Sequence, residues 1–360
     1  MPQQDVDLWT LAQGTAAELT PNIVYNSHYN WRTIADAAER GDPVCVSTLP
    51  HVSGIPAIVL GSGPSLDQAL PLLRSWPGAI FCGPSQVKAL DAHHREPDYI
   101  VAIDTAAVVA EQLDGPLYSQ AILITHQAID PSVLDMWRWR RRFVRLNTDN
   151  AAYAYPWLRL SFTAHGCTPN AALQLAAWLG YSPIYLVGVD CAYVGGVPRC
   201  ATYQLRGRQA YIRLPPEKVN QAIETLVCYH PSNGHAIETT REMYAYKLLL
   251  LAIWRLMSIQ LYTTSRDGLL WEVPYADLAD VIASPSKYKD DLSYPWEQMG
   301  AIVDAATVPA GLWVDMANRR LSKAGSIAER LEAIETEQSL LQVELSRWSR
   351  GADGRWSHAD

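Results

Sequence analysis

Glycines, hydroxyl side chains and a helix signal come together early in the chain, at Gly61-Ser-Gly-Pro-Ser65. The preceding apolar run, Ala57 to Leu60, is typical of a strand buried on both faces. Ser65 is a suitable N-cap for a helix that begins near Leu66. This arrangement can bind a phosphate, because backbone N–H groups and the helix dipole then face the anion. A plain turn that binds nothing is the alternative, since Leu66 replaces the third glycine of the Gly-x-Gly-x-x-Gly fingerprint.

Further polar residues stand where later apolar runs end. They are Ser85 and Gln86, Asp104, His126 and Asn147. Short apolar runs that alternate with helical stretches predict an α/β fold with a doubly wound, mostly parallel, Rossmann-like sheet. Such sheets bind ligands beyond the carboxyl ends of their strands, so these residues are candidates for one site. The alternative is that polarity simply returns wherever a strand ends.

A second dense stretch, Gly166-Cys-Thr-Pro-Asn170, leads into a helix predicted over 171–179. Thr168 and Asn170 stand at the start of this helix, and the proline between them suits a first helical turn. This is a second candidate phosphate or sugar pocket. The following apolar run, Ile184 to Val187, ends in Gly188-Val-Asp190, and Tyr193 comes directly after it.

Composition limits the classes of function. The chain has 360 residues, a formal charge of −8 and 49% apolar residues, which is globular composition with ample core material. The acidic balance argues against general nucleic-acid binding. No apolar run approaches a membrane span, and the first residues do not resemble a signal peptide. Six scattered cysteines without a Cys-x-x-Cys pair predict reduced thiols and a cytoplasmic protein, with no metal site.

The predicted organisation has three parts. Residues 1–50 are predicted to form a leader segment, and residues 51–285 a Rossmann-like domain that carries the candidate site, with an irregular, arginine-containing insertion at 195–231. A long helix runs from about Glu238 to Met257. Residues 286–360 form a linker and an amphipathic helix, Ile327 to Trp348, whose apolar residues alternate by four and three. That seam predicts either a homo-oligomer or docking back on the domain.

The motifs together resemble a known family. Gly61-Ser-Gly-Pro-Ser-Leu66, the turn ending at Asn170 and the strand ending in Gly188-Val-Asp190 are similar to the MptE-like domain family. That family includes the motility accessory factor (Maf) glycosyltransferases and archaeal 6-hydroxymethylpterin diphosphokinases. The same motifs resemble bacterial sialyltransferases that use CMP-sialic acid. The resemblance covers roughly 57–270 and implies a sialyltransferase-like fold.

The resemblance implies a glycosyltransferase that uses a nucleotide-activated sugar, such as a CMP-linked nonulosonic acid, and that requires no cofactor. His235, in Gly234-His235, resembles the family's general base on the acceptor hydroxyl, and Tyr193 resembles a tyrosine that stabilises the leaving phosphate. Asp190 completes the catalytic set. The expected nucleotide- and donor-binding residues are Gly61, Ser62, Gly63, Pro64, Ser65, Ser85, Gln86, Asp104, His126, Gly166, Thr168 and Asn170.

Two other functions remain open. The first is an MptE-like pyrophosphokinase that transfers diphosphate from ATP to a hydroxymethyl compound, with Mg²⁺ held by Asp104 and Asp190. The second is a non-catalytic nucleotide-binding or assembly protein, because Ser62 stands where the sialyltransferase loop has an asparagine that contacts the nucleotide. Both alternatives keep the same fold.

Overall fold

The computed structural model describes residues 26, 29, 30, 46, 49–106, 108–114, 121–126, 128–137, 143–145, 167–201, 225–283, 348–350 and 356–358. The strands are β1 (Ala57–Leu60), β2 (Ala79–Cys82), β3 (Tyr99–Ala102), β4 (Ile122–Thr125), β5 (Phe143–Arg145), β6 (Ile184–Val187), β7 (Thr225–Tyr229), β8 (Ala236–Thr240), β9 (Leu261–Thr263), β10 (Trp348–Arg350) and β11 (Trp356–His358). The helices are α1 (Leu66–Leu73), α2 (Pro84–Ala92), α3 (Val108–Leu113), α4 (Pro131–Trp137), α5 (Thr168–Trp178), α6 (Arg241–Met257) and α7 (Leu278–Ala283).

The main sheet has seven parallel strands in the order β5-β4-β3-β2-β1-β6-β9. The chain therefore builds outward from β1 to β5, returns to the other side of β1 as β6, and continues to β9. The prediction of a doubly wound, parallel α/β sheet is confirmed. The strand order reverses between β1 and β6, and such a switch point opens a crevice beyond the carboxyl ends of the two strands.

Both faces of the sheet are buried, which explains why its strands are short continuous apolar runs. In β1, Ile58 and Leu60 pack into one core cluster, with residues of α1 and α2. Ala57 and Val59 point to the opposite face and pack into a second cluster, with residues of α5 and α6. Alternation of side chains along each strand thus supplies both cores from the same four residues.

The predicted irregular insertion and the helix after it are partly wrong. Within 195–231, β7 is a regular strand and pairs antiparallel with β8. The predicted helix from Glu238 begins only at Arg241, because Thr240 ends β8 and its Oγ1 accepts a hydrogen bond from the Met243 N–H at 3.1 Å. Residues 202–224 of the insertion lie outside the described residues.

The leader and the C-terminal seam fall mainly on residues that are not described, so the three-part division stays a prediction. Trp348, the last residue of the predicted helix, lies in β10, which pairs with β11. The rest of that helix, 327–347, lies outside the described residues. Within the described ranges, every helix is too short or too polar to cross a membrane.

Candidate functional site

The loops that follow β1 and β6 are bonded to each other at the switch point. The Gly61 N–H donates to the Val187 carbonyl at 2.8 Å, and the Gly63 N–H donates to the Gly188 carbonyl at 2.7 Å. A Cβ atom on Gly61 would lie 2.4 Å from the Gly188 oxygen, so the backbones approach more closely than any side chain allows. Gly188 itself has a φ of +69°, which favours glycine. The absence of side chains at Gly61 and Gly188 therefore allows the two loops to pack backbone against backbone.

An internal carboxylate occupies the N-terminus of α1. Asp190, only 1% exposed, accepts the Ser65 N–H at 2.9 Å through Oδ2 and the Ser65 hydroxyl at 2.6 Å through Oδ1. The Ser65 side chain makes no capping bond to α1, contrary to the prediction. A helix N-terminus favours a negative charge, and here the chain supplies that charge itself. The Ser65 donors that the sequence assigned to a phosphate are therefore bonded to Asp190.

A cavity of about 430 Å³ opens beside these loops, at the carboxyl ends of the strands. Its walls come from the loops after β1, β3 and β6, from the first turns of α2 and α5, and from α3, α6 and the segment after Gly196. The predicted residues that line it are Gly61, Ser62, Gly63, Ser85, Gln86, Asp104, Thr168 and Asp190. The volume lies within the range of small-molecule sites, roughly 300–1,000 Å³.

Two serine hydroxyls are held in this cavity by one buried amide. The Gln86 side chain, 4% exposed, donates through Nε2 to the hydroxyls of Ser62 and Ser85, while its Oε1 accepts the Gly83 N–H. The two hydroxyl oxygens lie 2.9 Å apart, so one of them donates to the other. Since two hydroxyls carry two hydrogens, the second hydrogen is available to a ligand.

The first turn of α5 forms the opposite wall. Cys167, Thr168 and Pro169 line the cavity, and the Thr168 methyl group packs against Gly83, where a Cβ atom would lie 2.8 Å away. Asn170 is fully buried and is not among the lining residues. Its Nδ2 donates to the Tyr246 carbonyl at 3.2 Å, which ties α5 to α6. Gly166, also predicted for this site, lies outside the described residues.

Asp104 and His126 follow neighbouring strands but lie differently. Asp104 lines the cavity, and its Oδ1 accepts the Ala106 N–H at 2.9 Å. His126 is 7% exposed and is not a lining residue. Its Nδ1 accepts the Ala128 N–H at 3.3 Å, so its Nε2 carries the hydrogen and donates to the Ile103 carbonyl at 2.9 Å. His126 thus links the loops after β3 and β4.

The predicted base on the acceptor, His235, and the tyrosine predicted to stabilise the leaving phosphate, Tyr193, lie on or beside the β7–β8 hairpin. His235 is exposed at its turn, where its N–H donates to the Asn233 side chain at 2.9 Å. Tyr193 is half-buried, and its N–H donates to the Glu238 carbonyl at 2.8 Å. Neither side chain is among those that line the cavity. Thr239 of β8 donates from Oγ1 to the Cys191 carbonyl at 2.7 Å, which attaches the hairpin to the cavity wall.

Arg199 and Tyr246 line the cavity but were not among the predicted site residues. Burial, together with the nearby Cys167, Glu242 and Asp104, raises the pKa of Tyr246 to about 12, and Arg199 partly offsets this effect. Burial likewise raises the pKa of the Cys167 thiol to about 11. The sequence placed Arg199 only within a basic, irregular segment, and Tyr246 is assigned to the site only once α6 packs against α5.

The fold and the cavity define an α/β protein with a ligand-sized site at its topological switch point. A model of the MptE-like family, described as 6-hydroxymethylpterin diphosphokinase MptE-like, matches residues 36–196. This stretch contains all three motifs on which the resemblance was based, so the resemblance to the MptE-like family is confirmed. No curated protein matches the sequence.

Among solved structures, the chain is similar to the MAf glycosyltransferase from Magnetospirillum magneticum AMB-1, with a TM-score of 0.58 and 15% identity over 94% of this chain. The match covers 55% of that protein, so this chain spans about half its length. At this identity the likeness shows the fold. Structures of two variants of the sialyltransferase CST-II in complex with CMP match 62% and 61% of the chain and cover 86% of that enzyme in each case. Both have 16% identity and a TM-score of 0.29.

Proposed function

We propose that the protein is a glycosyltransferase that binds a nucleotide-activated sugar, with a CMP-linked nonulosonic acid as the leading donor. The observation that carries the proposal is the cavity of about 430 Å³ at the switch point, lined by fixed hydroxyls and by the first turns of two helices. Similarity of the fold to a Maf glycosyltransferase supports it. One hydroxyl of the Ser62–Ser85 pair, together with Thr168, would donate to the donor's polar groups, and Gln86 would hold the two serines in place.

The reaction requires a base that takes the proton of the acceptor hydroxyl. It also requires a positive charge or a hydrogen-bond donor that stabilises the leaving phosphate. The acceptor hydroxyl attacks the anomeric carbon, the bond from that carbon to the phosphate oxygen breaks, and the hydroxyl proton passes to a base. His235 is our proposed base, with the acceptor bound between the cavity mouth and the turn of the β7–β8 hairpin. Asp104 is the cavity carboxylate that would take the proton if the hairpin does not take part. The nucleotide leaves with the negative charge.

Turnover of CMP-N-acetylneuraminate tests the proposal, measured as CMP release with a panel of sugar acceptors. We expect release that depends on an acceptor and continues in EDTA. His235→Ala should abolish transfer while CMP binding persists, because the base acts only on the acceptor. Transfer that survives His235→Ala but not Asp104→Asn would assign the base to Asp104. A protein that turns over no nucleotide sugar would contradict the proposal.

Pyrophosphoryl transfer is the second candidate, favoured by the description of the matching family model and by Asp104 and Asp190 lining one cavity. Its Mg²⁺ would be held by these two carboxylates together with ATP oxygens, and would neutralise charge on the phosphates. The residues fit this ion poorly, because both Asp190 oxygens already accept hydrogen bonds from Ser65. The described residues also contain no group of three or more His, Cys, Asp or Glu side chains suited to a metal. AMP release from ATP that EDTA abolishes would support it.

A further inference from the structure

We propose that the donor's oxyanion binds on one side of the cavity, between Arg199 and Tyr246, and that Arg199 makes this site selective for an anion. The inference rests on the proposed function and deepens it. It assigns the recognition of charge to two residues outside the glycine loop, the segment Gly61–Ser65. The oxyanion is either the nucleotide phosphate or the carboxylate of an acidic sugar, since both present oxygens to a guanidinium.

The first reason is that most hydrogen-bond donors of the glycine loop already have partners within the protein. The N–H groups of Gly61 and Gly63 donate to backbone carbonyls across the switch point. Ser65 gives both its N–H and its hydroxyl to Asp190. A ligand phosphate placed there would also meet the buried carboxylate of Asp190, and like charges in a buried site repel strongly. The anion must therefore be held elsewhere in the cavity.

The second reason is that the backbone on both sides of Arg199 is fixed. Gly195 and Gly196, with φ of +60° and +76°, form a two-residue turn closed by Val194 and Val197, each of which donates its N–H to the other's carbonyl. Left-handed conformations at both turn positions are typical of tight hairpins. We call residues 193–201 the strap.

The end of the strap is anchored to the loop after β1 and to α1. The Cys200 N–H donates to the Ser62 carbonyl at 2.9 Å, and the Ala201 N–H donates to the Asp67 carboxylate at 2.7 Å. Cys200 is itself buried. Arg199 thus stands directly before a fixed point at the cavity wall, which limits the conformational entropy that its backbone loses on binding a ligand.

The third reason is electrostatic. Arg199 is the only lysine or arginine among the residues that line the cavity in the described part of the chain. Its positive charge partly offsets the burial that raises the pKa of Cys167, at the N-terminus of α5, and of Tyr246 on α6. The field of the guanidinium therefore reaches both walls. An oxyanion between them would also lie near the positive end of the α5 dipole.

Tyr246 adds a neutral donor to this site. A phenol keeps its hydrogen at physiological pH even at its ordinary pKa of about 10, and burial raises the pKa of Tyr246 to about 12, so this side chain can donate a hydrogen bond to an oxyanion. Its backbone is held by Asn170, whose amide donates to the Tyr246 carbonyl. Tyr193, the tyrosine that the sequence suggested for this role, does not line the cavity. Tyr244, which is half-buried on the same helix as Tyr246 and also lies outside the cavity lining, is the matched control.

Calorimetric titrations test the inference, with four probes: CMP, cytidine, N-acetylneuraminate and inorganic pyrophosphate. Arg199→Gln should weaken binding of the anionic probe about ten- to hundredfold, the usual effect of losing a charge-assisted hydrogen bond, and should leave cytidine binding unchanged. The matched control is Arg266→Gln, because Arg266 stacks on Tyr275 with its guanidinium carbon 3.8 Å from the ring centre and lies outside the cavity lining.

Tyr246→Phe should weaken the same probe about three- to tenfold, the effect of one lost hydrogen bond, whereas Tyr244→Phe should not. A loss confined to CMP identifies the phosphate, and a loss confined to N-acetylneuraminate identifies the carboxylate. Equal affinities of Arg199→Gln and wild type for every anionic probe would overturn the inference and leave the proposed function standing. Arginine-dependent binding of pyrophosphate without any binding of CMP would support the anion site and contradict the proposed transferase.

Discussion

Removing the Ser65 hydroxyl tests the internal carboxylate directly. Ser65→Ala deletes the hydrogen bond of 2.6 Å to a carboxylate whose residue is 1% exposed, and leaves the bond from the Ser65 N–H in place. A hydrogen bond to a charged group contributes about 1.5–3 kcal/mol, so we expect the free energy of unfolding to fall by about 2 kcal/mol. With a urea slope of about 3 kcal/mol per M, the unfolding midpoint should drop by about 0.7 M.

The matched control is a serine–aspartate pair at the surface. Ser132 also donates from its hydroxyl to an aspartate, Asp130, but this pair is exposed. Ser132→Ala should therefore change the free energy of unfolding by less than about 0.5 kcal/mol. Urea unfolding followed by tryptophan fluorescence measures both variants against the wild type.

A double-mutant cycle separates the Ser65–Asp190 pair from other effects. Asp190→Asn keeps the size of the side chain and removes its charge, so Ser65→Ala should cost at least about 1 kcal/mol less in that background. The reasoning is refuted if Ser65→Ala is as stable as the wild type, or if its cost is the same in both backgrounds. Ser65→Ala should also keep its affinity for CMP within about twofold, because Ser65 does not line the cavity.

Two further predictions concern the glycines and the cavity tyrosine. Gly61→Ala should lower the free energy of unfolding by more than about 3 kcal/mol or prevent folding, because the added Cβ would lie 2.4 Å from the Gly188 oxygen. Gly195→Ala should lower it by only about 1 kcal/mol, because no atom lies within 4 Å of the added Cβ and the only cost is the positive φ. The pKa of Tyr246 rises from about 10 in the unfolded chain to about 12 in the folded protein. Because the unfolded chain then loses this proton first, the stability that Tyr246 contributes should be lost as the pH rises from about 10 to about 12. Urea midpoints across this range should therefore fall less in Tyr246→Phe than in the wild type; equal slopes would show that the phenol titrates alike in both states.

The local pattern of apolar residues was sufficient to predict most strands of the main sheet. Ala57–Leu60 is buried on both faces as its continuous apolar run predicted, and the reversal of strand order places the glycine loop at the crevice. The helix that begins at Leu66 was also predicted correctly. These features depend on residues close together in sequence, for which composition and periodicity are direct guides.

The errors concern partners that are distant in sequence or competing local structures. Ser65 was expected to cap its own helix, but its hydroxyl bonds to Asp190, 125 residues away. The helix predicted from Glu238 loses its first residues to β8, because pairing with β7 outweighs the helical pattern there. Tyr246 lines the cavity only because α6 packs against α5. How two helices pack against each other cannot be predicted from the local sequence of either helix.

The most direct test of the central claim, that the switch-point cavity binds a nucleotide, is a calorimetric titration of CMP into a cavity-filling variant. Gln112 lines the cavity from α3, whereas the adjacent Glu111 is exposed and does not. We predict that the wild type and Glu111→Trp bind CMP alike, and that Gln112→Trp binds at least about tenfold more weakly because the indole occupies the site. The claim is contradicted if the wild type binds none of CMP, UDP and ATP, or if a folded Gln112→Trp binds CMP as tightly as the wild type does.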